Sequence, residues 1–94
     1  MLDSNMMQLK LSYGLFLLFE PQDKKLRLII TDGHNELACR KETRSVLKHF
    51  LSSAQSQLFK GRLQLHKSDE VLTVVLKGKP VGAINLPDLE KVLT

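Results

Sequence analysis

The sequence predicts an α+β domain with a mostly antiparallel sheet, in the order β-β-β-α-β-β-β-α, and one long amphipathic helix packed on the sheet. Three observations lead there. Apolar residues recur at every second position from Met7 onward, turn-forming pairs such as Asp32-Gly33 separate the apolar runs, and a middle stretch switches to helical spacing. A chain of 94 residues is material for a single domain, 1–94, with a modest core. Its 43% apolar and 26% charged residues exclude a disordered or fibrous protein.

Met1 to Asn5 read as a loose leader. Met7, Leu9, Leu11, Tyr13, Leu15, Leu17 and Phe19 then follow a period of two, which predicts a strand or a bent pair of strands, with Gly14 marking the bend. Glu20 to Lys24 reads as a turn around Pro21 and Asp23. Leu26 to Ile30 is a strand, Asp32-Gly33 a tight hairpin, and Glu36 to Arg40 the returning strand.

The helix is expected from Glu42 to about Phe59, because Val46, Leu47, Phe50, Leu51, Ala54 and Leu58 fall on one stripe and Lys60-Gly61 follows as a terminator. Arg62 to His66 alternates as a strand, Ser68-Asp69 is a turn, and Val71 to Lys77 is a strand with Leu72, Val74 and Leu76 on one face. Gly78-Lys79-Pro80 turns the chain into Val81 to Ile84. A short last helix follows Asn85, with Leu89, Val92 and Leu93 as its apolar side. The two halves share a strands-then-helix plan without sequence identity that would make a repeat.

The chemistry-bearing residues form no catalytic or metal-binding pattern. Cys39 sits beside Leu37 in the alternation, where a buried and inert thiol is expected. His34, His49 and His66 have no zinc spacing with it. No glycine pattern cradles phosphates, and Glu20, Asp23, Asp32 and Asp69 mark turns. The expectation is a protein that is not an enzyme and carries no cofactor. A lone cysteine forms no internal disulfide, which suits a reducing, cytoplasmic setting. The longest apolar run, Leu15 to Phe19, is too short to span a bilayer.

Charge is more informative. Between Arg40 and Lys67 stand seven basic residues and one acid, a balance of +6, against −2 for the rest of the chain. Arg40, Lys41, Arg44, Lys48, Lys60 and Arg62 are candidate contacts for a polyanion. At 100° per residue, Lys41, Arg44 and Lys48 would form a solvent-facing ridge on the expected helix. Arg40 and Lys41 would stand at its start, where the helix dipole disfavours cations and an external phosphate would relieve them. The scarcity of aromatic residues outside apolar positions argues against base stacking on exposed rings.

The alternation collapses at Leu15 to Phe19, where Phe16 and Leu18 face opposite to Leu15, Leu17 and Phe19. A strand apolar on both faces is covered on both, here by the final helix or by another subunit. Phe16 and Leu18 are therefore candidate interface residues.

The stretch Val74-Val75-Leu76-Lys77-Gly78-Lys79-Pro80-Val81-Gly82-Ala83-Ile84 leading into Asp88-Leu89 resembles the end of a cystathionine-synthase-type regulatory module, and that resemblance implies adenosyl-nucleotide binding. The strands-then-helix plan is also similar, as topology, to small single-strand-binding transcription cofactors. Neither resemblance assigns residues. The function expected first is a small non-enzymatic binding or interaction domain, acting as a homodimer or accessory subunit. The alternative is a nucleic-acid-binding protein that uses its basic residues.

Overall fold

The computed structural model describes residues 7–93, so the leader expected at Met1 to Asn5 lies outside the described residues. Four strands, β1 (Met7–Lys10), β2 (Phe16–Gln22), β3 (Lys25–Thr31) and β4 (Glu36–Thr43), lead into α1 (Arg44–Ser52). Four more, β5 (Gln57–Leu58), β6 (Leu63–Ser68), β7 (Val71–Leu76) and β8 (Lys79–Asn85), lead into α2 (Leu86–Leu93). The α+β class and antiparallel pairing hold. The single sheet is corrected to two four-stranded sheets, β1-β2-β3-β4 and β5-β6-β7-β8, each with its strands in chain order.

Turn chemistry sets the hairpins. Between β1 and β2, Tyr13 and Gly14 have φ of 60° and 71°, and Leu15 N–H donates to Ser12 C=O at 3.1 Å. Two successive left-handed residues make the turn whose twist matches antiparallel strands, so Gly14 divides a strand pair rather than bending one strand. Lys77 and Gly78, at φ 52° and 79°, do the same between β7 and β8, and Pro80 falls inside β8. Asp32-Gly33 does not form the expected two-residue hairpin. The register shifts at Thr31, and Asp32 Oδ1 accepts from the N–H groups of His34 and Asn35, both at 2.8 Å, which closes a wider loop.

Those two N–H groups, Asn35 first, hold the Asp32 carboxyl below its ordinary value of 3.8. A lowered folded value means that the ionised form stabilises the fold above the ordinary value, and that this contribution is lost as pH falls through the folded one. Asp32→Asn is therefore expected to show a shallower acid limb in urea midpoints taken from neutral pH to about pH 2. An acid limb identical to the parent's would remove Asp32 from the pH response.

The helix expected from Glu42 to Phe59 is corrected to the nine residues of α1. Thr43 caps its start, Oγ1 accepting from Val46 N–H at 3.2 Å. Its end is set by serines and a distant lysine. Ser52 Oγ donates to Lys48 C=O at 3.2 Å and Ser53 Oγ to Phe50 C=O at 3.3 Å, competing with continuation of the helix. Lys67, on the core-facing side of β6, donates its Nζ to the carbonyls of Phe50, of Leu51 at 3.4 Å and of Ser53 at 2.6 Å. The last-turn carbonyls that every helix leaves without a partner are thereby satisfied from the other sheet.

One core lies between the two sheets and the helices. The inner faces contribute Leu17, Phe19, Leu26, Leu28 and Ile30 from the first sheet and Leu63, Leu65, Leu72 and Val74 from the second. Leu47 and Phe50 of α1 and Leu89, Val92 and Leu93 of α2 join them. The apolar side expected for α2 is thus the buried one, and α1 packs on α2. The sheets also meet at their ends, where Ser12 N–H donates to Val81 C=O at 2.9 Å and Gly82 lies against Leu11.

Candidate nucleic-acid interface

The structure redistributes the six basic candidates. β4 runs on to Thr43, so Arg40 and Lys41 belong to a strand and not to a helix start. Successive strand residues point to opposite faces, and Arg40 and Lys41 therefore part company. Lys41 stands opposite Arg27 on the outer face and borders a shallow cleft with Lys24 and Lys25 at the β2–β3 turn. Arg44, half-buried, begins α1, and exposed Lys48 lines a groove between the helices with Leu51, Glu90 and Leu93. The continuous ridge of Lys41, Arg44 and Lys48 on one helix is corrected accordingly. Only Arg44 and Lys48 are helical.

Arg40 instead meets residues from the second sheet. It stands opposite Leu28, on the side of β4 turned towards the core, but remains exposed because β4 is an edge strand. Across from it lies the 59–62 segment before β6. Arg40, Arg62, Leu37, Ala38, Cys39 and Leu63 line one cleft of about 400 Å³. Glu36 also borders this cleft, but its carboxylate is engaged by Arg27 at 2.5 Å. That hydrogen bond leads the causes that raise the Arg27 guanidinium above its ordinary value. Arg27 also reaches Glu20 at 3.5 Å.

None of Arg40, Lys41, Arg44, Lys48, Lys60 and Arg62 has a carboxylate within ion-pair distance among the described residues. The Arg40 guanidinium carbon instead sits 4.9 Å from the Phe59 ring centroid. Phe59 is itself buried, at φ 70°. Gln57 Nε2 donates to Phe59 C=O at 3.0 Å, and Gln64 Nε2 to the carbonyls of Lys60 at 3.3 Å and Gly61 at 3.2 Å. The segment carrying Lys60 and Arg62 is thus tied to β5 and β6. Phe59 carried no functional signal in the sequence because its left-handed backbone is not written in residue type.

Cys39 is corrected from buried to exposed, with its Sγ 3.8 Å from Arg27 Nη2. Tyr13, placed by the alternation among the apolar positions of a strand, is instead 75% exposed at the β1–β2 turn, with Lys79 Nζ 5.4 Å from its centroid. Tyr13 does not line the Arg40–Arg62 cleft.

Phe16 and Leu18 stand on the outer face of the first sheet, opposite Thr31 and Ile29 in register. Both are half-buried, and Ile29 between them and β4 is only 2% exposed. α2 does not cover them, since its apolar residues enter the core. Among the described residues no group of His, Cys, Asp and Glu gathers as metal ligands, and no helix is long and apolar enough to cross a membrane. No family model, curated protein or solved structure matches the chain, and the likeness of 74–89 to a regulatory module gains no support there.

Proposed function

We propose that this chain is a non-enzymatic binding domain whose ligand is a nucleic acid, gripped through its phosphates by Arg40, Lys60 and Arg62, while Lys41, Arg44 and Lys48, on the outer face and on α1, contribute only to the overall positive potential. The observation that carries this reading is the convergence of Arg40, from β4, and Arg62, from the segment just before β6, on one cleft where neither has a carboxylate partner among the described residues. Fixed cations without internal partners suit an external polyanion, and phosphate contacts supply most of the affinity of such complexes. The net charge of +4 works in the same direction.

The expected result is binding of a labelled oligonucleotide whose log affinity falls with log salt at a slope of roughly −2, as about three phosphate contacts on a single strand require. Arg40→Glu with Arg62→Glu is expected to weaken binding more than tenfold and to flatten the slope by roughly 1 to 2. Both side chains are exposed, so circular dichroism should be unchanged. Absence of binding at low salt, or binding indifferent to the double change, ends this reading.

A second reading, a homodimer or accessory subunit, is favoured by the outer face of the first sheet, where Phe16 and Leu18 lie uncovered by α2. A two-fold axis across this face would bury them against a second copy. Light scattering is expected to give a dimer for the parent and a monomer for Phe16→Ser/Leu18→Ser. A monomeric parent at high concentration, or a dimer untouched by both changes, removes this face as the interface.

A further inference from the structure

We propose that the Arg40 guanidinium, mounted on the Phe59 ring, is a stacking platform for one unpaired base, which makes the ligand of the cleft a single-stranded nucleic acid. This deepens the nucleic-acid reading above and rests on it. The platform is fixed from beneath: Phe59 is 8% exposed, belongs to the core, and lies 4.9 Å from the guanidinium carbon. Its φ of 70° is a backbone conformation that side-chain-bearing residues rarely adopt, so this geometry is held by its surroundings rather than by local preference. The hydrogen bonds from Gln57 and Gln64 to three successive carbonyls, Phe59, Lys60 and Gly61, supply that hold.

Gly61 keeps the edge of the platform clear. A Cβ built there would lie 3.3 Å from Arg40 Nη1 and press on the guanidinium. A planar, weakly hydrated cation is a suitable partner for the face of a base. Leu37 and Ala38, both half-buried, supply the apolar lining that a ring needs, and Arg62 lines the same cleft as the phosphate partner. A duplex offers no free base face to such a site. An acidic peptide would use the two charges but gain nothing from the ring beneath Arg40 or from the apolar lining. The single strand uses all three features.

The experiment is fluorescence anisotropy at low salt with labelled oligothymidylate, a phosphodeoxyribose strand of equal length without bases, and a duplex, against the parent and Arg40→Lys. The parent is expected to bind oligothymidylate about tenfold more tightly than the abasic strand, the scale of one stacked base. Arg40→Lys keeps the charge and removes the plane, so it should shrink the tenfold advantage of oligothymidylate over the abasic strand to less than about twofold, whatever the change in abasic affinity itself. Equal parent affinity for the two strands overturns the platform while leaving the phosphate reading intact. Preference for the duplex also overturns it, as does a base-dependent advantage that survives Arg40→Lys. Failure of all three probes removes the nucleic-acid reading itself, and binding of a glutamate-rich peptide in their place assigns the cleft to a protein partner.

Discussion

Replacing Lys67 by methionine is expected to cost about 2–4 kcal/mol, because hydrogen bonds from a charged donor contribute about 1.5–3 kcal/mol and three carbonyls share this one. The amine closes the end of α1 through Phe50, Leu51 and Ser53 and sits 4.8 Å from the Phe50 ring centroid. Methionine keeps most of the apolar stem and a favourable sulfur–ring contact, so the loss reads chiefly the amine. Against the 5–15 kcal/mol that holds a typical domain together, roughly a quarter of the stability would disappear. Urea unfolding measures it, and Lys67→Arg, which keeps the charge, should recover part of the loss. A cost below about 0.5 kcal/mol would show that water serves those carbonyls equally well.

Gly82→Ala is the second large effect. The alanine Cβ would stand 2.9 Å from both Cβ and Cδ2 of Leu11 and 3.0 Å from its Cα. The side-chain tip can swing away, but Cα and Cβ move only with the backbone, and Ser12 N–H, one residue on, is bonded to Val81 C=O. Overpacking of this kind costs about 1–3 kcal/mol, which lowers the melting temperature of a domain this size by roughly 10 °C. A melting temperature within about 2 °C of the parent's would show that the β1–β2 turn yields freely.

The strands were legible because their signal is local. Alternation locates β2, β3, β6 and β7, and the stretches that read as turns contain Asp23 and Asp69, where two ladders reverse, although Glu20, Pro21 and Gln22 belong to β2 and Ser68 to β6. The end of α1 was not legible, since the apolar stripe runs on through Ala54 and Leu58. The serines that stop the helix are only weak signals by themselves, and the lysine that completes its end arrives from a strand far along the chain. Lys67 illustrates the limit of charge counting. It adds to the basic segment of the sequence, yet in the fold its charge is directed inward.

The candidate cleft was legible in composition and not in geometry. Arg40 and Arg62 both stand out in the sequence, but one at an expected helix start and the other in an expected strand. The fold departs from that picture in two ways: β4 extends past Arg40 to Thr43, and Arg40 and Lys41, adjacent in sequence, project from opposite faces. Phe59 reads only as the end of the expected helix. The number of sheets was equally hidden, because apolar patterning records which side of a strand is buried and not which strands share a ladder.

Because every strand pairs with its sequence neighbour, the fold has consequences for how it assembles. Each ladder closes a short loop, which keeps the entropy of loop closure small and favours rapid formation. Hairpins of this length form in roughly 1–10 μs, whereas the one core is shared by both ββββα units and closes only when they meet. The slower step is then the docking of the two units, when the shared core closes and Lys67 finds the end of α1. Mutations within a turn would change the early events, whereas Lys67 and Gly82, which act across the junction, would act chiefly on the rate at which the two units come apart.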